Sequence, residues 1–449
     1  MGERLLRHFA ALVGASVFGL AAMVTPAFGL EDPAARTRVT QLDNGLVILT
    51  LEDHTTPVTS FQMWVKVGSR DEAGYTGLAH LFEHMMFKGS EHVPPEEHAR
   101  YVNARGGRLN AFTSRDYTVY FEDVTAESLP LVIDLEYERV AFLDISEQTL
   151  TSERKVVLEE RRLRTEDQPM GRAYEALLAL VWQAHPYRWP VIGWRSDVQK
   201  ATVDVCQEFF DTFYAPNNLV IAIAGAFDTE DTLAHLRRTF GRLNSSEVRR
   251  NPTDEPEQLG ERRSIVRFDV RAPILAAGWH APPTGHADGE ALDVLSQILS
   301  DGRSSRLYRS LVYDAEKALA AEGGYWELND AGVFLALATV RPGESVEEVE
   351  SLFFAEIDRM KQEPVTPEEL EKAKRQIEVG LVNGLTTNHA LASRLARDYA
   401  TFGRVRPLEE RLSRVQAVTA EDVQRVARSY LKRDQRSVIH VVPPEEEGS

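Results

Sequence analysis

The chain has 449 residues, a formal net charge of −18 at pH 7 and a single cysteine. Its acidic balance excludes nucleic acid as a partner, because phosphate binding needs clustered Lys and Arg. One thiol excludes both an internal disulfide and a structural metal site built from several cysteines.

At the start of the chain, Arg4 and Arg7 precede an apolar run from about Phe9 to Val24, and Ala27-Phe28-Gly29 offers small residues for cleavage. The run is short for a spanning helix, which needs about 20 apolar residues, so residues 1–29 read as a signal peptide removed after Gly29. Export follows as an expectation, with the periplasm as destination and release outside the cell as the alternative. No later segment is long and apolar enough to cross a bilayer, so stable membrane insertion is not expected.

Strands are predicted at Leu46–Leu51 and Thr59–Val67, which alternate or run apolar. The stretch His80-Leu81-Phe82-Glu83-His84 comes next. On a helix, residues four apart share a face, so His80 and His84 can grip one ion together. Glu83 is then close enough to act on a water at that ion. This H-x-x-E-H order inverts the commoner H-E-x-x-H and is a metallopeptidase signature. A further strand is predicted at Tyr117–Phe121.

Catalytic zinc takes three protein ligands and keeps a fourth position for water, so a third ligand is expected on another helix. Glu153 to Glu160 has helical composition without Gly or Pro. Glu153 and Glu160 lie two turns apart on one face, and Glu159 points about 100° away from Glu160. Val203–Phe213 reads as a helix in which Cys206 is packed rather than reactive. The turn Ala215-Pro216-Asn217-Asn218 leads to a short strand at Val220–Ala224.

Asn244 to Arg263 is polar, holds Pro252, Pro256 and Gly260, and lacks an apolar period. We read 244–263 as a linker between an N-terminal domain at 30–243 and a C-terminal domain at 264–449. The second half repeats the plan of the first. Strands are predicted at Ala272–Trp279, Val333–Val340 and Ser437–Val442. Helices are predicted from about Asp288 to Leu299 and at Glu368–Leu385, Asn388–Thr401 and Ala420–Tyr430. The fold class is α+β, with two αβ domains, each an antiparallel or mixed sheet with helices on one face.

The flanks of the motif carry a resemblance. Gly77-Leu78-Ala79-His80 leads into it and Met85-Met86-Phe87-Lys88-Gly89-Ser90 follows. Further on come Gly106-Gly107-Arg108-Leu109-Asn110-Ala111-Phe112-Thr113 and Asp116-Tyr117-Thr118-Val119-Tyr120-Phe121. From roughly Val39 to Val442 the chain resembles the pitrilysin or insulinase family of inverted-motif zinc peptidases, which includes the mitochondrial processing peptidase. The resemblance implies two related domains, with mainly antiparallel sheets, forming half of a clamshell. It implies one zinc ion (Zn2+) per chain, held by His80, His84 and Glu160, with Glu153 supporting the site and Glu83 as catalytic general base. It also implies that Asn110, Ala111, Phe112 and Thr113 border an edge strand to which a peptide substrate adds. His185-Pro186-Tyr187 matches a family loop, with no chemical role attached to it.

One family feature is missing. Active members usually carry an arginine and a tyrosine seven residues apart, after a serine-arginine-leucine-tyrosine stretch, to hold the substrate backbone and the oxyanion. Here Ser305-Arg306-Leu307-Tyr308 is followed by Val312 and Leu319 at those two places. Neither side chain donates a hydrogen bond. The expectation is a zinc-bearing subunit of a heterodimer that cuts unfolded peptides, with a homologous partner supplying the Arg and Tyr. A homodimer using Arg306 and Tyr313 is the alternative assembly. A non-catalytic scaffold or peptide-binding member of the same fold is the alternative function.

Overall fold

The computed structural model describes residues 32–250 and 252–445. The expected signal peptide, 1–29, lies outside the described residues. Six strands form the first sheet: β1 (Arg38–Gln41), β2 (Val47–Glu52), β3 (Val58–Val65), β4 (Arg108–Thr113), β5 (Thr118–Thr125) and β6 (Leu219–Gly225). Their order is β1-β2-β6-β3-β5-β4. Five strands form the second: β7 (Arg262–Arg267), β8 (Ile274–Ala281), β9 (Ala318–Trp326), β10 (Gly332–Val340) and β11 (Arg436–Val442), in the order β7-β11-β8-β10-β9.

The two orders superimpose. β2 pairs parallel with β6, and β7 pairs parallel with β11; the remaining pairs are antiparallel. Only β1 has no counterpart in the second sheet. The fold is therefore α+β with two related αβ units, as the internal repeat implied. Asn244 to Glu261 forms no strand or helix among the described residues, and β7 begins at Arg262, inside the expected linker. That segment is clamped: the Glu255 carboxylate accepts from the backbone N–H groups of Gln183, Ala184 and His185 at 2.8 to 3.0 Å.

All the predicted strands are present, and Tyr117–Phe121 extends to Thr125. Periodicity does not predict β1, β4, β7 or β9. All four are edge strands with much of their surface exposed, and β9 is rich in Ala and Gly, which have low strand propensity.

β6 shows why the sheets need cover on both faces. Its sequence Leu-Val-Ile-Ala-Ile-Ala-Gly has no polar alternation, and every residue is buried. One face packs on helices of its own half, including Leu78–Met85, Leu129–Ala141 and Val203–Phe213. The other face meets Ala392, Leu395 and Ala396 from helix Asn388–Phe402, which belongs to the second half of the chain. The second sheet is treated reciprocally. Helices Gly289–Leu299, Val346–Gln362 and Ala420–Tyr430 cover one face. Helix Pro169–Val181, from the first half, lays Ala173, Leu177 and Val181 on the other. Helices on one face were expected; the exchanged helix on the opposite face adds a layer to each sheet. The approach is close: a Cβ on Gly278 would sit 2.7 Å from Val181 Cγ2.

Among the described residues no helix is long and apolar enough to cross a membrane.

Candidate metal centre

The motif lies on helix Leu78–Met85. The helix starts at Gly77, whose φ of 89° favours glycine and where a Cβ would stand 2.7 Å from the Ile192 carbonyl. Glu72 supplies the cap from outside the helix, accepting from the backbone N–H groups of Gly77 and Ala79 at 2.8 and 2.9 Å. Leu78, Leu81, Phe82 and Met85 form the apolar stripe and are buried in the core. That stripe turns His80 and His84 to the opposite side.

Helix Glu147–Arg161 packs beside it and brings Glu160 to the two imidazoles. Glu160 Oε2 lies 3.2 Å from His84 Nε2 and 3.8 Å from His80 Nε2. One ligand atom from each of the three residues lies within 4.8 Å of the others, a spacing that fits a single ion. Glu159 points to solvent and pairs with Arg162 at 2.6 Å, so the geometry separates the two neighbouring glutamates. Glu153 is buried; its Oε2 lies 3.6 Å from His84 Nδ1 and its Oε1 3.3 Å from the Lys88 ammonium.

Glu83 stands apart from this triad. Its carboxylate accepts a hydrogen bond from the Thr113 hydroxyl at 2.7 Å. Burial raises its pKa, against the opposing effect of the Thr113 bond. Burial and the neighbouring His84 pull His80 down to about 4. Burial also acts downward on His84, but the adjacent carboxylates of Glu153 and Glu160 outweigh it and hold the ring at about 9. The Glu160 carboxyl lies below its ordinary range, chiefly through its bond to His84. His80 and His84 offer two imidazole nitrogens beside one Glu160 carboxylate oxygen. This donor set, two nitrogens and one oxygen, fits zinc.

β4 carries all four residues expected at the peptide edge. It is the terminal strand of its sheet, and its outer backbone edge pairs with no other described strand. Asn110 and Phe112 are exposed, Ala111 is buried against the motif helix side, and Thr113 is half-buried at Glu83. Sequence reasoning missed two groups. Lys88 is four residues after His84, and Arg164 four after Glu160, where it meets Glu160 Oε1 at 2.5 Å. Helical spacing was the signal for both.

A second group, His98, Glu122 and Glu136, has comparable spacing but is fully buried. The Arg139 guanidinium sits among them, bound to Glu136 and 3.5 Å from Glu122. Its charge occupies the place of a cation there, and burial drives His98 down to about 3.

In the second half, Val312 packs half-buried against the core and Leu319 is half exposed on β9. Arg306 is held by Glu369 in a bidentate pair at 2.7 and 2.8 Å, while Tyr313 is largely exposed.

Comparison with known proteins places these features in context. Residues 47–193 match the family described as Insulinase (Peptidase family M16), and residues 200–377 match the one described as Peptidase M16 inactive domain. The zinc protease PqqE of Helicobacter pylori is 30% identical over 408 residues, covering 90% of this chain and 92% of the relative. A probable mitochondrial-processing peptidase subunit beta of Arabidopsis thaliana is 26% identical over 413 residues, covering 89% of this chain and 77% of the relative. A crystal structure of a protease from Helicobacter pylori aligns with a TM-score of 0.86 at 30% identity, covering 91% of this chain and 99% of that one.

Proposed function

The chain belongs to the insulinase family of M16 peptidases, and from that premise we propose that it is a zinc-dependent endopeptidase acting on unfolded peptides. The observation that carries this reading is the convergence of His80, His84 and Glu160 beside a separately held Glu83. Zinc bound by those three residues would activate a water and polarise the scissile carbonyl. Glu83 takes the proton of the attacking water on its carboxylate and returns it to the leaving amine. The Thr113 hydroxyl aims that carboxylate. Glu153, held by Lys88, orients His84 through Nδ1. The free edge of β4 holds the peptide by backbone pairing, which tolerates many sequences.

Val312 and Leu319 leave this chain without the arginine and tyrosine donors that the family resemblance calls for. Arg306 is engaged with Glu369 and offers no ready replacement. We therefore propose a heterodimer in which a homologous partner supplies both donors. A relative whose name designates it a subunit supports this assembly. Export to the periplasm is proposed on the sequence of residues 1–29 alone.

The test is cleavage of a fluorogenic peptide mixture with and without a chelator, combined with elemental analysis. Glu83→Gln should keep its zinc and lose turnover by about 100- to 10,000-fold, because base and ligand are separate roles. Glu160→Gln should lose both. Full zinc and activity in Glu160→Gln, with both lost in Glu159→Gln, would mean that the wrong glutamate has been assigned.

A further inference from the structure

A cavity of about 690 Å³ opens beside the turn that follows β4. Ser114 and Tyr117 of that turn line it, together with Arg394 and Arg397 of helix Asn388–Phe402. Most charges on its wall are matched. Arg406, Arg411 and Arg414 pair with Asp398, Asp293 and Glu290, and Asp116 pairs with Arg70. Arg394 and Arg397 form no ion pair with any described residue. Arg394 donates to the Arg406 carbonyl at 3.3 Å, and its Nη1 is buried without a hydrogen-bond partner. Arg397 is exposed and lies beside the Tyr117 phenol. Of the wall's carboxylates, only Glu327 lacks an ion pair among the described residues, while Asp398 and Asp32 act on Arg394 without pairing with it, so Arg397 is the wall's exposed guanidinium free of an ion pair.

The cavity's position relative to β4 gives this guanidinium a use. Successive side chains of a strand point to opposite faces. Thr113 faces the motif helix and bonds Glu83. Phe112 faces the other way, where its ring packs on Trp64 and Tyr117 while 40% of the residue stays exposed. A peptide added to β4 inherits this alternation. Side chains next to the one over the metal centre then point toward Phe112, Tyr117 and Arg397.

We propose that Arg397, backed by Arg394, forms a subsite for a carboxylate side chain of the bound peptide, so that Asp or Glu is preferred at positions alternating with those that face the metal centre. This inference rests on the peptidase reading and on β4 as the binding edge. The chain's overall negative charge does not oppose it. Screening over about 8 Å at physiological ionic strength lets the local guanidinium pair decide.

The experiment uses decapeptides that are uncharged except for one Glu, Gln or Lys moved a position at a time. Binding is read by fluorescence anisotropy on zinc-loaded Glu83→Gln protein, and cleavage on the wild type. At alternate positions Glu should bind about 10-fold tighter than Lys, as expected for a charge-assisted hydrogen bond. Adding Arg397→Glu should reverse that order with zinc content unchanged. Arg397→Gln, a milder change, should abolish the preference and guards against misfolding of the charge reversal. Equal binding of the Glu, Gln and Lys peptides, or an order unaltered by Arg397→Glu, overturns the subsite. Cleavage without charge preference leaves the peptidase reading standing and sinks the subsite. A reversed binding order without any cleavage does the opposite.

Discussion

Arg164 holds one oxygen of Glu160 while the other oxygen faces both imidazoles. An exposed pair of this kind adds little to stability. Its effect belongs instead to the metal, because groups that orient a ligand typically change affinity by about 10- to 100-fold. Arg164→Ala should weaken zinc binding by about 10-fold in a chelator competition while leaving the thermal midpoint of the zinc-free protein unchanged. An unaltered zinc affinity would assign Arg164 to the surface alone. Asp293 offers a second test at this scale. Burial raises its carboxyl to about 6, against the pull of Arg411 at 2.9 Å. A carboxyl raised by folding binds its proton more tightly in the native state. Its contribution to stability is complete below the unfolded value of about 3.9 and is lost as pH rises through about 6. The wild type should therefore lose stability relative to Asp293→Asn between about pH 4 and pH 6, read from urea midpoints. Parallel curves would show that the group titrates normally.

The exchanged helices decide how the chain holds together at the level of elements. Asn388–Phe402 and Pro169–Val181 each cover the sheet of the other half. Uncovering β2, β3 and β6 would expose a row of Val, Leu, Ala and Trp side chains to water. Residues 30–243 and 264–449 expressed separately should each aggregate or bind a hydrophobic dye, whereas co-expression restores a soluble complex. A well-folded isolated first half would show that the swapped helix is dispensable. The same seam locates the loop His185-Pro186-Tyr187. The Tyr187 hydroxyl donates to Asp116 at 2.5 Å and accepts from the Asp330 backbone N–H at 3.2 Å. Arg70 reaches both Asp116 and Asp330, at 2.9 and 3.0 Å. Asp116 sits in the turn after Thr113, so this buried network fixes the strand that aims Glu83. The loop is a positioning device between the halves, a role invisible in its sequence because its partners lie about 70 and 140 residues away.

For the whole molecule, the layered exchange and the Asp116 network make the two halves one unit. In the proposed heterodimer an enclosing chamber would open between the subunits. The candidate metal ligands His80, His84 and Glu160 all lie within the chain, while the second half has Val312 and Leu319 where the family resemblance calls for paired donors. One missing oxyanion donor costs about 100- to 1,000-fold in rate. The purified chain should be weak alone and gain about that factor when a homologous subunit carrying the Arg and Tyr is added. Full activity from the isolated chain, unchanged by any partner, would remove the heterodimer.

By itself the sequence determined the local features, because short-range chemistry repeats with the period of the element. The i, i+4 spacing of His80 and His84, the seven-residue step from Glu153 to Glu160 and the apolar runs of β6 and β10 all lie within one helix or strand. The order of elements in the two halves was legible for the same reason. Tertiary structure alone decided which sheet each helix covers. The apolar stripe of Asn388–Phe402 shows that one face must be buried, yet both sheets present equally apolar surfaces to receive it. It also decided that Thr113 meets Glu83, that Arg139 fills the second His-Glu cluster, and that Arg394 Nη1 is buried without a hydrogen-bond partner. Each outcome depends on which distant side chain occupies the space opposite. No period in the chain encodes that, and only the packed fold brings those groups within a few ångströms.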